Sequence, residues 1–188
     1  MHSTLLNFFI YIISSLFLNE IDLKNQPNII YYISDDKDQI DHNIYGNSLV
    51  PSDPINRLAS EGMKFNNAYT SQAICSPSRS QIFTGLYPIK NGCYANHLPV
   101  KKDIIDVNDY LQSVGYEVVL AGKSHVNPSS VFNWTHYFKN EGKLLPMDKI
   151  KRYIKNAKKP FCMFITSDYP HGPFPTNTQF SDEDIYQN

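Results

Sequence analysis

Apolar positions along this chain fall into continuous runs rather than strict alternation. Residues 28–34 (NIIYYIS), 116–121 (YEVVLA) and 161–167 (FCMFITS) are short, β-prone and uninterrupted, the pattern of strands buried on both faces. Helix signals bound the stretches between them. Asp53-Pro54 supplies an N-cap and a first-turn proline ahead of INRLAS, and Gly62 supplies the stop. A short extended piece, 64–70, leads to Cys75, and 76–83 reads as a helix with Gly85 just past its end. Asp106 caps DVNDYLQSV and Gly115 closes it, while Pro146 opens MDKIKRYIKNAKK, an amphipathic helix with a solvated, Lys-rich outer face. Strands alternating with helices predict an α/β fold with a largely parallel central sheet between helices.

The first apolar run is of another sort. Residues 5–18, LLNFFIYIISSLFL, carry no charge and have the length of a signal-peptide h-region rather than of a bilayer span. Residues 1–19 are therefore expected to be a secretory signal, a buried helix or membrane anchor being the other readings. No second run approaches spanning length, so no stable membrane span is expected. The end of the chain, 176–188, is polar and acidic and offers little to a core. With 17 Lys+Arg against 18 Asp+Glu the net charge is −1, which gives no electrostatic reason to expect nucleic acid. Three cysteines cannot all pair with one another, so the chain is no disulfide scaffold. Cys162, inside a strand pattern, is expected to be buried and inert, with a bond to Cys93 left open.

Ligands of open α/β sheets bind at the carboxyl ends of the strands. The first predicted strand runs into Asp35-Asp36, the second into Gly122-Lys123-Ser124-His125, and the third into Asp168-Tyr169-Pro170-His171. One edge of one sheet thus receives adjacent carboxylates, a lysine with a histidine, and a second histidine. Singly, each has a plain reading: a turn or cap for Asp35-Asp36 against a hard-cation site, a surface pair for Lys123 and His125 against an anion clamp, a solvated loop residue for His171. Together they favour a site. Cys75 adds a thiol at the mouth of a helix, with Arg79 one turn on along the same face, and position alone would make it a low-pKa thiolate.

The string Cys75-Ser76-Pro77-Ser78-Arg79, followed by Thr84-Gly85, resembles the sulfatase signature, C-x-P-S-R with T-G beyond it. The resemblance runs from about Pro27 to Pro175: Pro27-Asn28-Ile29-Ile30 through Asp35-Asp36 is similar to the family's opening strand, Asn56-Arg57-Leu58-Ala59 to its first helix, Gly122-Lys123-Ser124-His125 to its G-K-x-H block, and Pro170-His171 to its later histidine. Within the family, Asn91-Gly92-Cys93-Tyr94 and the block from Gly122 to Val126 with Pro128 resemble heparan N-sulfatase and its relatives.

That resemblance implies an alkaline-phosphatase-like fold and cleavage of sulfate ester or sulfamate groups, from a sulfated glycan or a small sulfate ester. It implies that Cys75 is oxidised to formylglycine by a formylglycine-generating enzyme during synthesis, then hydrated. One hydroxyl attacks sulfur and the other expels sulfate. Ca²⁺ would be held by Asp35, Asp36 and residue 75, with Arg79 holding the modified residue, His125 polarising or deprotonating the diol, and Lys123 and His171 on the sulfuryl oxygens. His97 either lines the substrate pocket or is an exposed or structural loop residue. Modification in the secretory pathway agrees with the apolar N-terminus and with an N-glycosylation sequon at Asn133-Trp134-Thr135, and so with a lysosomal or extracellular destination. The family's members are longer, and past the matched region they supply a second pair of metal ligands that nothing after His171 provides. The catalytic region, 27–175, is therefore expected to be incomplete. The open readings are a sulfatase present as its N-terminal portion, a non-catalytic protein that at most binds sulfated glycans, and, least supported, a thiol-based hydrolase.

Overall fold

A computed structural model of the chain describes residues 26–49 and 53–173. The apolar segment 5–18 and the polar end 176–188 lie outside the described residues. Four strands form one sheet: β1 (Ile29–Asp35), β2 (Glu117–Gly122), β3 (His136–Phe138) and β4 (Phe161–Pro170). Their order is β1-β4-β2-β3 and every pairing is parallel. The helices are α1 (Asp53–Glu61), α2 (Cys75–Thr84), α3 (Pro88–Asn91), α4 (Val107–Ser113) and α5 (Met147–Asn156). Among the described residues, no helix is long and apolar enough to cross a membrane.

Side-chain alternation on the central strands makes two cores, one per face. Val118 and Leu120 of β2, with Cys162 and Phe164 of β4, point to the face that carries α2 and α4. Val119, Ala121, Phe161 and Met163 point the other way, onto Ile150 and Tyr153 of α5. Each such large apolar side chain, fully buried, contributes about 1.5–3 kcal/mol. Phe83, at the end of α2, sits at the centre of the first core with its ring 5.1 Å from both Phe164 and Trp134 and 6.1 Å from Phe132. That anchors α2 to the sheet and fixes where its first residue, Cys75, points.

Local signals explain the element ends. Gly85 takes a left-handed backbone, φ 67°, and its N–H returns to the Gln81 carbonyl to close α2. Asp106 accepts from the N–H groups of Asn108 and Asp109, while Asp109 reaches back to the Asp106 N–H, a capping box for α4. β1 is registered by its entry: Asn28 Oδ1 accepts from the Phe161 N–H at 3.1 Å, and the Tyr116 hydroxyl donates to the Pro27 carbonyl at 2.9 Å.

Three features differ from the sequence pattern. β1 is not a buried strand: among the described residues it pairs only with β4, and Ile30 and Tyr32 remain 55% and 60% exposed. Residues 64–70 join no sheet; side chains hold them instead, with the Tyr45 hydroxyl donating to the Phe65 carbonyl and Gln39 Nε2 to the Asn66 carbonyl. β3 has no counterpart in the pattern, because three residues flanked by polar positions present no apolar run. Cys93 and Cys162 both lie in the first core as free thiols. Burial pushes the Cys162 thiol up to about 11, so it is inert as expected.

Candidate active site

The carboxyl edge of the sheet gathers Asp35, Asp36, Lys123 and His171 from the ends of β1, β2 and β4, and α2 brings Cys75 and Arg79 to them. β1 shifts register between Ser34 and Asp35, leaving Asp35 opposite Pro170. Asp35 is thereby turned inward and is 5% exposed, at the end of an otherwise open strand. Asp36 follows in a left-handed conformation, φ 57°, and stays exposed.

β2 leaves the sheet through Gly122, φ 115°, where a Cβ would collide with the Thr166 carbonyl oxygen. Only glycine allows that approach. Thr166, on β4, donates its hydroxyl to the Lys123 carbonyl at 2.8 Å and accepts the Lys123 N–H on its own carbonyl at 3.0 Å. The glycine of the G-K-x-H block thus serves to bend the chain so that Lys123 projects over the strand ends.

Lys123 Nζ donates to Asp35 Oδ2 and lies 3.8 Å from Asp168 Oδ1. Arg79, buried on α2, places Nη2 3.4 Å from Asp35 Oδ1 and donates from Nη1 to the Lys123 carbonyl at 2.7 Å. The two cations converge on Asp35. Burial pushes the Asp35 carboxyl up; the Lys123 hydrogen bond and the Arg79 and Lys123 charges outweigh it, and its pKa is lowered.

Cys75 Sγ lies 3.7 Å from Asp35 Oδ1 and 4.0 Å from Asp36 Oδ1. Its pKa is raised, by burial first and then by the Asp35 charge, with Lys123 opposing. The helix mouth therefore does not make a thiolate here: two carboxylates and partial burial override the position, and the low-pKa reading is corrected. A cavity of about 440 Å³ opens beside the thiol, lined by Asp35, Asp36, Lys37, Cys75, Ser78 and Arg79 among others.

His171 reaches the same spot from the end of β4. Its ring, with Asp35 and Cys75, forms a cluster whose potential ligand atoms all lie within 4.8 Å of one another. Its Nε2 is 3.7 Å from Asp36 Oδ2. Lys143 steadies this loop by donating to the carbonyls of His171 and Pro173 at 2.8 and 2.9 Å. His125, by contrast, turns to His97: its Nε2 lies 3.0 Å from His97 Nδ1. Burial, then the charges of Lys123, His97 and Arg79, lower the His125 pKa.

Some contacts around the site carry no signal in the sequence. Asn140 Nδ2 donates to Asp168, which orients the carboxylate beyond Lys123. Asn91, fully buried on α3, donates to Ser80 Oγ at 3.0 Å and Thr84 Oγ1 at 3.2 Å, while its Oδ1 accepts the Cys93 N–H. This network explains why the signature helix carries hydroxyls on its inner face: each is satisfied where an apolar side chain would leave Asn91 unpaired. Asn133 is exposed, whereas Thr135 of the same sequon accepts the Val118 N–H on its hydroxyl.

The family model Sulfatase matches residues 27–144. The chain is 51% identical over 158 residues to an ulvan-active sulfatase of Formosa agariphila, covering 81% of this chain and 32% of that protein. It is 27% identical over 146 residues to the Homo sapiens N-sulphoglucosamine sulphohydrolase, covering 68% and 28%. In three dimensions it resembles BT4656, solved in complex with its substrate D-glucosamine-2-N,6-O-disulfate, with a TM-score of 0.69 at 27% identity over 78% of this chain and 35% of that one. The chain spans about a third of the length of the curated relatives it matches.

Proposed function

The chain belongs to the sulfatase family and has its alkaline-phosphatase-like α/β fold, and on this basis we propose that it acts as a sulfuric-ester hydrolase on sulfated glycans, using a formylglycine made from Cys75. One observation carries this reading: a shielded thiol of raised pKa stands at a helix mouth beside two carboxylates, with two cations and a histidine around it. A thiolate enzyme would need the opposite electrostatics. As a precursor of an aldehyde, the thiol needs only position. The formylglycine, when hydrated, supplies a hydroxyl nucleophile where the cysteine stands.

The donor set fits a hard divalent cation in part. Asp35 and Asp36 offer carboxylate oxygens 3.7 and 4.0 Å from the Cys75 sulfur, which suits Ca²⁺; the His171 imidazole does not suit it and is left for substrate. Bound there, Ca²⁺ would supply positive charge against the sulfuryl oxygens. The chain's own groups divide the remaining work. Lys123, already poised at the strand ends, exchanges its carboxylate partner for a sulfuryl oxygen. Arg79 holds Asp35 in place, being a fork-shaped donor that keeps its charge. His125, neutral by its surroundings, takes the proton of the attacking hydroxyl, and His171 returns a proton to the departing sugar oxygen. The net reaction breaks the S–O bond to the sugar, leaves the oxygen of water on sulfate, and releases the alcohol protonated.

The 51% identity to the ulvan-active sulfatase, against 27% to the N-sulphoglucosamine sulphohydrolase, favours ulvan over N-sulfated glucosamine as the substrate. Export is part of the same proposal: the modifying enzyme acts during synthesis in the secretory pathway, and exposed Asn133 is available for glycosylation there. The test is to express the chain with and without a formylglycine-generating enzyme. Peptide mass spectrometry should find the aldehyde at residue 75, and sulfate should be released from ulvan but not from N-sulfated glucosamine. Cys75→Ala should abolish release. Modification without any release would instead support a non-catalytic binder of sulfated glycans.

A further inference from the structure

We propose that His97 is a positioning residue for His125, accepting a hydrogen bond on Nδ1 from His125 Nε2–H and so fixing the tautomer and orientation of that imidazole. The nitrogens are 3.0 Å apart, and the rings approach to 4.9 Å between centroids.

The loop that brings His97 there is tied to the nucleophile helix. Its N–H donates to Ser76 Oγ at 3.3 Å, and the Ser76 N–H donates to Asn96 Oδ1 at the same distance. Ser76 directly follows Cys75, so the histidine pair and the reactive position are registered on one helix mouth.

The backbone points the same way. Among the described residues, three that are not glycine adopt a left-handed conformation: Asp36, His125 and His97, at φ 57°, 54° and 65°. Each costs about 1–2 kcal/mol relative to the right-handed form. Two of them belong to the site already described, and His97 is joined to it by the strain as well as by the hydrogen bond. Such strain persists only where surrounding contacts over-determine it. A loop that merely had to turn would use glycine.

The protonation follows from what each nitrogen touches. His125 Nδ1 is buried without a partner. An unpartnered acceptor is tolerated better than an unpartnered N–H, so the His125 proton sits on Nε2 and faces His97. His97 is exposed, which lets its own Nε2–H meet water and leaves Nδ1 to accept. The result is one unspent lone pair, on His125 Nδ1, in a region where Lys123 and Arg79 oppose a further positive charge and Asp35 favours it. His97 therefore prepares a base without itself being one.

The catalytic half of this inference rests on the proposed role of His125; the tautomer half does not. In the full 188-residue chain labelled with ¹⁵N-histidine, long-range couplings should show His125 as a single Nε2–H tautomer. His97→Phe and His97→Gly should convert it to a mixture, the glycine variant having lost the nitrogen while relieving the backbone strain. His97→Asn, which tolerates the left-handed region and returns an acceptor near the Nδ1 position, should restore the single tautomer. With a synthetic aryl sulfate as probe, kcat should fall about tenfold to a hundredfold in the first two variants with KM nearly unchanged, and recover in the third. An Nδ1–H tautomer in the parent chain, a His125 signal indifferent to His97→Phe and His97→Gly, or a glycine variant that behaves like the asparagine one would each overturn the proposal. The expected tautomer pattern in a chain that releases no sulfate would support the pair and count against the hydrolase reading alone.

Discussion

β4 and β1 are hydrogen-bonded neighbours with opposite environments. β4 is buried through most of its length, packed on both faces. β1 leaves Ile30 and Tyr32 more than half exposed and becomes buried only at its last residue, Asp35. The two strands nevertheless deliver to one site, and they hold their ends in place by different means. β4 positions Thr166, Asp168 and His171 from a packed core. β1 holds Asp35 through charge, by pairing with Lys123 and Arg79 brought from β2 and α2. The site is thus half packed and half electrostatically clamped, and substitutions on the two sides should fail differently.

The largest effect is expected at the centre. Gly122→Ala would drive a Cβ into the Thr166 carbonyl and impose a left-handed alanine, costing about 4 kcal/mol of stability, measurable as a lost or strongly shifted thermal transition. A loss below about 1 kcal/mol would show that the packed side yields as easily as the clamped one. On the clamped side, Asp35→Ala strands the buried Arg79 and the largely shielded Lys123 and should cost about 3 kcal/mol. The pH dependence has a definite sign. Because the Asp35 pKa is lowered in the folded chain, its contribution is complete above the ordinary carboxylate value of 3.8 and is lost as pH falls through the lower, folded value. Acid unfolding of the parent should therefore be steeper than that of Asp35→Asn, as followed by circular dichroism.

Ile30 and Met163 are direct register partners, so truncating each to alanine compares the two strands at one level of the sheet. Met163→Ala should cost about 3 kcal/mol and Ile30→Ala under about 1 kcal/mol by urea unfolding. Equal costs would show that β1 is as buried in solution as β4. The smallest effect concerns the thiol between the halves. In chain made without the modifying enzyme, Cys75 should react with iodoacetamide more slowly than free cysteine at about pH 8, and Asp36→Asn should speed it about twofold to fivefold. A faster-than-free rate in the parent would restore the thiolate reading.

Much of this is legible in the sequence because it is local. Signals at Pro54, Gly85, Asp106 and Pro146 act within one turn of their own positions, and they are enough to mark α1, α2, α4 and α5. The strand ends at Asp35, Lys123 and His171 can be assigned to one edge because parallel strands share a direction. What escapes depends on distant partners. Asn91 carries no sign that it will satisfy Ser80 and Thr84, nor does His97 show that it will meet His125, 28 residues away.

Linear order alone dictates the α/β class, the succession of most elements, the sheet edge that carries the chemistry and, through the string from Cys75 to Gly85, the family. The first three follow from periodicity, capping and spacing, all written within a few residues, and the family from the resemblance of that string to the sulfatase signature. It takes the folded chain to make β1 the open strand, to rest both Lys123 and Arg79 on Asp35, and to push the Cys75 thiol away from ionising. Each of these is a sum of burial and charge contributed by three or four separate segments, and burial and charge of that kind exist only once those segments have met.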